Sequence, residues 1–550
     1  MTKHWYHHAI IYSLDIKVFA DSNGDGMGDM HGLISKLDYL RSIGINCLWL
    51  LPFYPSPKVD DGYDVKDYDN IDEAIGDFED FDELIRELKL RGMRLIMDLV
   101  VNHTSIEHPW FLEAKSSRDS LYRDYYIWHD NPDDESEKVI FDDAENSIWE
   151  YSEETGSYYL HRYYKEQADL NIANPKVREE ILNIMKFWVD KGVDGFRVDA
   201  AHVVSDPTHV KKTDYTNLHR FFGDMREFLD KHNSETILLG ETSVEPDELN
   251  KYFKSKDHKP RMHMLINFLA SKHLCLAIAR GDGASLTEGL ALFKDIHLSH
   301  WLNFVRHHDE LNLELLDEDE RREVWEVFAP EEVMRIFGHG IRRRLPPMVK
   351  NDHRKMKLVY ATTFSLPGCA MINYGEEIGM GDDLNLDGRK SVRTPMQWST
   401  EPNGGFSHAP KEKLYRPVID EGEFSFRNIN VRQAQMNSGS FFNWMCTLIR
   451  LRTQNPIIGY GEWSIQKPLD KRAAALCYKA GHGRLLVVFN FSGEEITVKI
   501  AADFVAKKKA NVFWDDVYED EIDLDQIKLH PYGFRWIEIY DEEKVNYINP

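Results

Sequence analysis

Four short polar clusters interrupt otherwise apolar stretches of this 550-residue chain. They are Asp98 with Asn102 and His103, Arg197-Val198-Asp199, Gly240-Glu241, and His307-His308-Asp309. A single carboxylate at the end of an apolar run is more often structural than catalytic. Three of them (Asp199, Glu241 and Asp309), accompanied by an arginine and histidines, need another account, because buried like charges are costly unless something pairs or uses them. Arg197 and Asp199 stand two residues apart in a run that reads as a strand, so their side chains share a face. A guanidinium beside a carboxylate favours its ionised form, as a nucleophile requires. One ionised carboxyl and one that holds a proton are the apparatus of glycoside hydrolysis. No Ser/His pairing motif, phosphate-cradling glycine loop or HExxH element competes with that chemistry.

A second pattern lies near the start. Asp21, Asn23, Asp25 and Asp29 alternate with Gly24, Gly26 and Gly28, with Met27 between them. Oxygen ligands at alternate positions around glycines follow the logic of a Ca²⁺ loop. A metal-free polar turn is the alternative reading.

These residues need elements to position them. Apolar runs at residues 9–16, 45–51 and 93–101 read as buried strands. Between them, Leu33, Leu37, Leu40 and Ile43, then Phe81, Leu84, Ile85 and Leu88, recur at helical spacing, with Gly44 and Gly92 as stops. That alternation means parallel βαβ units. Residues 104–174 form a polar insertion without long apolar periodicity. Asn174 and Pro175 then open a new helix with Val177, Ile181, Ile184, Met185 and Trp188 on its apolar face, and Gly192 closes it. Further strands are expected at residues 193–199, 236–241, 262–267, 301–306 and 370–374. About eight such units fit, which points to a (β/α)8 barrel, with the chemistry at the carboxyl ends of its strands. The expected division is a barrel over residues 1–103 and 175–454, an inserted domain at 104–174, and a C-terminal antiparallel β domain at 455–550.

Composition narrows the function class. Hydrophobic residues make up 42% and charged residues 29%, which suits neither disorder nor a membrane-spanning design. The 67 basic and 93 acidic residues leave a net charge of −26, with no basic run to offset it, so no nucleic-acid partner is expected. Aromatics reach 12%, enough to line a neutral ligand or simply to fill a core. No stretch of about 18 apolar residues occurs, so no membrane span is expected. The N-terminal residues show no charged region followed by an apolar run, so no secretory signal is expected either. Five scattered cysteines suggest neither disulfides nor a zinc site, and a reducing cytoplasm is the simplest home. Both a monomer and a homo-oligomer remain open.

The segments 98–103 (Asp-Leu-Val-Val-Asn-His), 195–199 (Gly-Phe-Arg-Val-Asp), Glu241 and His308-Asp309 resemble the sequence blocks of glycoside hydrolase family 13, the α-amylase family, in its order and at compatible separations. Gln167-Ala168-Asp169-Leu170-Asn171 resembles a further block near the end of the inserted domain. The resemblance implies Asp199 as nucleophile, Glu241 as general acid/base and Asp309 as stabiliser of the oxocarbenium-like transition state. It implies that His103, Arg197 and His308 hold the cleaved sugar. Asp60-Asp61-Gly62-Tyr63 resembles the loop that closes this subsite in members acting on short α-glucosides, so Tyr63 would stack on the glucose and Asp60 would bind its outer hydroxyls. Arg393 resembles the arginine that pairs with that aspartate. Similar loops in the family bind calcium as residues 21–29 would, with the Met27 carbonyl as one ligand.

Residues 49–57, 60–64, 340–345, 374–380 and 392–399 are similar to the branch of the family that interconverts maltose and trehalose. A small α-glucoside substrate without net hydrolysis is therefore implied. Residues 200–207 and 242–246 depart from that branch, as does His307 in place of its asparagine. These positions face the second sugar, which leaves an α-glucosidase or a transglucosidase with another acceptor as the alternative. Ala200, directly after the nucleophile, resembles α-1,4-acting relatives. A sugar-binding scaffold barrel is the non-enzyme alternative, and retention of all three carboxylates argues against it.

Overall fold

A computed structural model describes residues 4–132, 139–141, 144–206, 208, 218–293, 301–480, 483–500, 508–515, 518 and 522–541. Eight parallel strands close into a barrel: Ile10–Leu14, Cys47–Leu50, Arg94–Leu99, Gly195–Val198, Ile237–Gly240, Met264–Ile266, Trp301–Asn303 and Cys369–Asn373. They follow one another around the ring, and the first closes on the eighth with Ile10 opposite Ala370 and Ser13 opposite Asn373. Seven lie within the runs expected from sequence, and the eighth begins one residue before its run, at Cys369.

The period of two divides each strand between two cores. Ile11, Cys47, Trp49, Ile96, Ile237, Leu239, Leu302 and Met371 fill the barrel interior as one apolar cluster. Their neighbours Ile10, Tyr12, Leu48, Leu50, Leu95, Met97, Phe196, Val198 and Leu238 belong to the cluster that the helices cover. Arg197, between Phe196 and Val198, must therefore point inward.

The helices form where caps and stripes predict them. Asp77 accepts the backbone N–H groups of Glu79 and Asp80 and opens Phe78–Leu90 with a reciprocal capping box. Asn174 caps Pro175–Lys191, and Gly192 ends it in a left-handed conformation at φ 104°. The single helix expected through Leu33–Ile43 is instead two short ones, Met30–Ser35 and Leu37–Ser42. The backbone turns at Lys36, whose ammonium lies 4.5 Å from the Trp398 ring centre, a tertiary contact that local periodicity cannot reveal.

Between the third and fourth barrel strands, His103–Ser105 pairs with Gln167–Asp169, and Trp128–His129, Ser157–Leu160 and Trp149–Ser152 form a three-stranded sheet. After the barrel, Glu462–Gln466, Ala473–Ala480, Gly483–Asn490, Phe534–Asp541 and Lys508–Asp515 make an antiparallel sheet in that order. Among the described residues, no helix is long and apolar enough to cross a membrane.

Candidate active site

Strand register builds the floor of the site. Asp98 lies opposite Arg197 on the third and fourth barrel strands. The ladder runs one residue past the strand ends: Asp199 N–H donates to the Leu99 carbonyl and Glu241 N–H to the Val198 carbonyl, each at 3.1 Å. The carboxylates at 199 and 241 are thereby seated on adjacent strands. Ala200 then leaves the strand at φ 47°, a left-handed conformation that a small side chain tolerates best, and the helix Ala201–Val204 begins.

Arg197 joins three carboxylates. Its Nη1 lies 2.5 Å from Asp98 Oδ1 and 2.6 Å from Asp199 Oδ1, and its Nη2 lies 2.7 Å from Glu241 Oε1. The other Glu241 oxygen accepts the Ala200 N–H at 3.0 Å. Asp98 Oδ2 accepts the Trp49 indole N–H at 2.8 Å. Burial pushes the Asp98 carboxyl up to about 6 against the pull of Arg197. Burial also raises Asp199 well above its ordinary value, with Glu241, Asp98 and Asp309 adding to the rise and Arg197 opposing it. One guanidinium thus faces three carboxylates, so their titrations are coupled to one another.

Beyond this floor, Tyr63 stacks on His308 with ring centres 5.6 Å apart, and its hydroxyl lies 2.7 Å from His308 Nε2. His308 Nε2 is 3.1 Å from Asp309 Oδ2. Burial lowers His103 and His308 to about 4 and His307 to about 3, so all three imidazoles are neutral at pH 7. Burial alone would raise Asp309, but Arg389, His308 and Arg393 hold it well below the usual carboxylate range.

The pairing of Arg393 differs from the sequence expectation. Its partners are Asp61 and Asp309, each at 2.6 Å, and not Asp60. Asp61 is also held by Arg416 at 2.6 Å and by the Tyr415 hydroxyl at 2.9 Å. Asp60 instead accepts from the side-chain amide of Gln167 at 3.1 Å, and Gln167 also reaches His103 Nε2 at 3.0 Å. In the tight Asp-Asp-Gly turn, Asp61 is the one directed into the protein, and it is 5% exposed. Arg389, which no motif marked, binds Asp309 at 3.1 Å and Glu310 at 2.7 Å.

A cavity of about 490 Å³ opens over the cluster. Asp60, Tyr63, His103, Asp199, Glu241 and Asp309 line it, while Arg197, His308 and Arg393 stand behind these residues. His202, Ser243 and His307 also line it. Among the described residues, His202 Nδ1, Ser243 Oγ and His307 Nε2 are buried with no hydrogen-bond partner. Pro207, at the end of the departing stretch, lies outside the described residues.

The loop at 21–29 lies away from this cavity. Asp21 accepts the N–H groups of Gly24 and Gly26 and the Ser407 hydroxyl. Asp29 accepts from Ser22 and Gly32 and caps Met30–Ser35. Asn23 Oδ1 and Asp25 Oδ1 each accept one N–H, from Asp25 and Met27. Gly24 and Gly26 sit at φ 79° and 106°, which lets the chain coil tightly around these groups. Among the described residues, no lysine, arginine or histidine forms an ion pair with Asp21, Asp25 or Asp29. The three carboxylates are hard oxygen donors of the kind a divalent cation takes, but among the described residues they do not converge as a cluster of ligand atoms within 4.8 Å of one another.

The α-amylase catalytic-domain family matches residues 16–461. The trehalose synthase/amylase of Mycolicibacterium smegmatis is 37% identical over 460 residues, covering 83% of this chain and 77% of that protein. The oligo-1,6-glucosidase of Bacillus cereus is 31% identical over 583 residues, covering 97% of this chain and 99% of its own. The crystal structure of the trehalose-6-phosphate hydrolase of Bacillus licheniformis superposes with a TM-score of 0.78 at 27% identity, over 98% of this chain and 100% of that one. With an eight-stranded barrel whose strand ends carry the family's blocks, and with these matches over most of its length, the chain belongs to the α-amylase family of enzymes.

Proposed function

We propose that the protein is a retaining enzyme of short α-glucosides that interconverts maltose and trehalose through a glucosyl-enzyme on Asp199. The observation that carries this reading is the single Arg197 guanidinium shared by Asp199 and Glu241 at the floor of the cavity. Inverting enzymes leave room for a water between carboxyls about 6.5–9.5 Å apart, whereas retaining pairs stand about 5–5.5 Å apart. Two carboxylates gripped by the terminal nitrogens of one guanidinium suit the closer arrangement.

In this mechanism the Asp199 carboxylate attacks the anomeric carbon of the outer glucose while Glu241 gives its proton to the glycosidic oxygen. That bond breaks, and the anomeric carbon is left as an ester of Asp199. The freed glucose turns within the cavity. Glu241, now a base, takes the proton of its anomeric hydroxyl, whose oxygen displaces Asp199 to form trehalose. Each step inverts the centre, so the α configuration is kept. Water entering at the ester stage would give glucose instead. Asp309, held ionised by Arg389 and Arg393, lends negative charge to the oxocarbenium-like transition state. The neutral His103 serves as a hydrogen-bonding group for hydroxyls, and the neutral His308, behind the cavity wall, positions Tyr63 and Asp309. His202, Ser243 and His307, which line the cavity, are the residues placed to meet the second sugar.

The similarity to a trehalose synthase/amylase supports the isomerase reading. The similarity to an oligo-1,6-glucosidase over almost the whole chain supports a second one, an α-glucosidase or transglucosidase. Incubation with maltose, trehalose and sucrose separately, every product being identified by NMR, decides between them. Trehalose formed from maltose is the expected result, and glucose as the sole product would select the hydrolase. A calcium ion held by Asp21, Asn23, Asp25, the Met27 carbonyl and Asp29 is part of the proposal, as a structural ion outside the chemistry. So is a cytoplasmic location, supported by all five cysteines being free.

A further inference from the structure

The turn between Arg335–Ile336 and Gly340–Ile341 carries a conformational anomaly beside the cavity. The His339 N–H bonds back to the Ile336 carbonyl, and the two residues between, Phe337 and Gly338, sit at φ 53° and 61°. Two successive positive φ values define a type I′ turn, whose first position favours Asn, Asp or Gly. A bulky aromatic there is an outlier and persists only where the surroundings hold it.

The surroundings are specific. Phe337 stacks on Phe141 from the inserted segment, with ring centres 4.6 Å apart and planes at 22°. The Arg389 guanidinium lies 5.0 Å from the Phe141 ring centre and 5.2 Å from that of Phe337, while it grips Asp309 and Glu310. Phe141, Ile336 and Phe337 form their own small apolar cluster, apart from the main core. Tyr163 links that cluster to the sugar site, 5.3 Å from Phe141 on one side and 5.4 Å from His103 on the other. Ile140, Tyr163, His339 and Arg389 line the cavity at this end. The contact thus joins two segments almost 200 residues apart, directly behind residues that line the cavity.

We infer that Phe141, Phe337 and Arg389 form a clasp that seals the outer end of the cavity during the life of the glucosyl-enzyme, and so set how much of it reaches a sugar rather than water. The strained turn is what delivers the Phe337 ring to its partner. Phe141 and Phe337 are positioning residues: they touch neither Asp199 nor Glu241, and they act through the fit of the inserted segment against Arg389. The inference rests on the transfer reading above.

The test exploits the turn. Phe337→Asn removes the ring but supplies the residue that a type I′ turn prefers. Each protein is given p-nitrophenyl α-glucoside with glucose as acceptor, and the fraction of released aryl groups matched by hydrolysis rather than by disaccharide is measured. Phe337→Asn should keep a melting temperature at or above that of the unaltered protein while its hydrolysed fraction rises several-fold, and Phe337→Tyr should restore the original fraction. Phe141→Leu, which keeps apolar bulk without the stacked ring, should leak in the same way and serves if the first variant folds poorly. An unchanged hydrolysed fraction in both ring-less variants would overturn the clasp. An unaltered protein that transfers to glucose but makes no trehalose from maltose sinks the isomerase reading alone. One that transfers to no sugar at all overturns both.

Discussion

At the residue scale, the site turns on how one arginine divides its attention among Asp98, Asp199 and Glu241. Asp199→Ala leaves Arg197 with two carboxylate partners, so no buried charge is stranded and the melting temperature should hold. Turnover of maltose should vanish, and full activity by NMR would remove Asp199 from the mechanism. Glu241→Gln should lower kcat on maltose by about 10²–10⁴-fold, the usual worth of a positioned acid. An aryl glucoside, whose leaving group needs no proton, should suffer much less in its glycosylation step, and equal losses on both substrates would contradict the assignment. Asp60 offers a pH test. Burial raises its carboxyl to about 6, above the ordinary carboxylate value, so it is ionised only above that pH. If the ionised form grips the outer hydroxyls, KM should rise as pH falls through 6 in the unaltered protein. Asp60→Asn should show a high KM with no such limb. The same shift means that the folded state holds the extra proton between about 4 and 6, so this group destabilises the fold as pH rises through that window. Asp60→Asn should therefore be no less stable than the unaltered protein at neutral pH.

At the element scale, loops closing over the barrel decide what can enter. Arg393, Asp61 and Arg416 knot the loop after the second strand to the segment that follows the eighth. Arg393→Ala leaves Asp61 with Arg416 and Asp309 with Arg389, so the loss should sit near the lower end of the roughly 3–5 kcal/mol seen when a buried pair is broken. The loosened knot should admit water, raising the hydrolysed fraction of the glucosyl-enzyme, and an unchanged product ratio would show that the knot is structural only. If the knot closes this end of the pocket, a sugar must enter terminus first. Soluble starch should be nearly inert compared with maltose, and efficient internal cleavage would contradict the closed pocket.

At the scale of the whole molecule, the loop at 21–29 ties the first barrel strand to its helix and to Ser407, almost 400 residues away. An ion bound only by the folded state adds RT ln(1 + [L]/Kd) to stability, about 2.7 kcal/mol at a hundredfold excess over Kd. Chelation should lower the melting temperature if calcium is held there. Asp25→Ala is the cleaner probe, because Asp25 is exposed and accepts only the Met27 N–H, whereas Asp21 closes three bonds of its own. The variant should lose its sensitivity to chelator. A melting curve unmoved by chelator, in a protein that metal analysis shows to be empty, would mean that backbone N–H groups alone close the loop.

Much of this was legible in the chain. Strand and helix periods, caps such as Asp77 and Asn174, and glycine stops such as Gly192 are local, and they placed all eight barrel strands. Polar residues at the ends of those strands must converge once a parallel barrel closes, so Asp199, Glu241 and Asp309 could be grouped before any coordinates existed. What local pattern could not decide was which charge meets which. Of two adjacent aspartates, Asp61 and not Asp60 turns toward Arg393, because the backbone of that tight turn sets the direction of each side chain. Arg389 sits in a short 3₁₀ turn, Gly388–Val392, and its role follows only from where that segment is carried. Lys36 breaks a helix that its sequence would continue. Ion pairs between remote loops, and the stacking of Phe141 on Phe337, depend on tertiary geometry, since nothing in the spacing of residues along a chain encodes the direction from which a distant partner arrives.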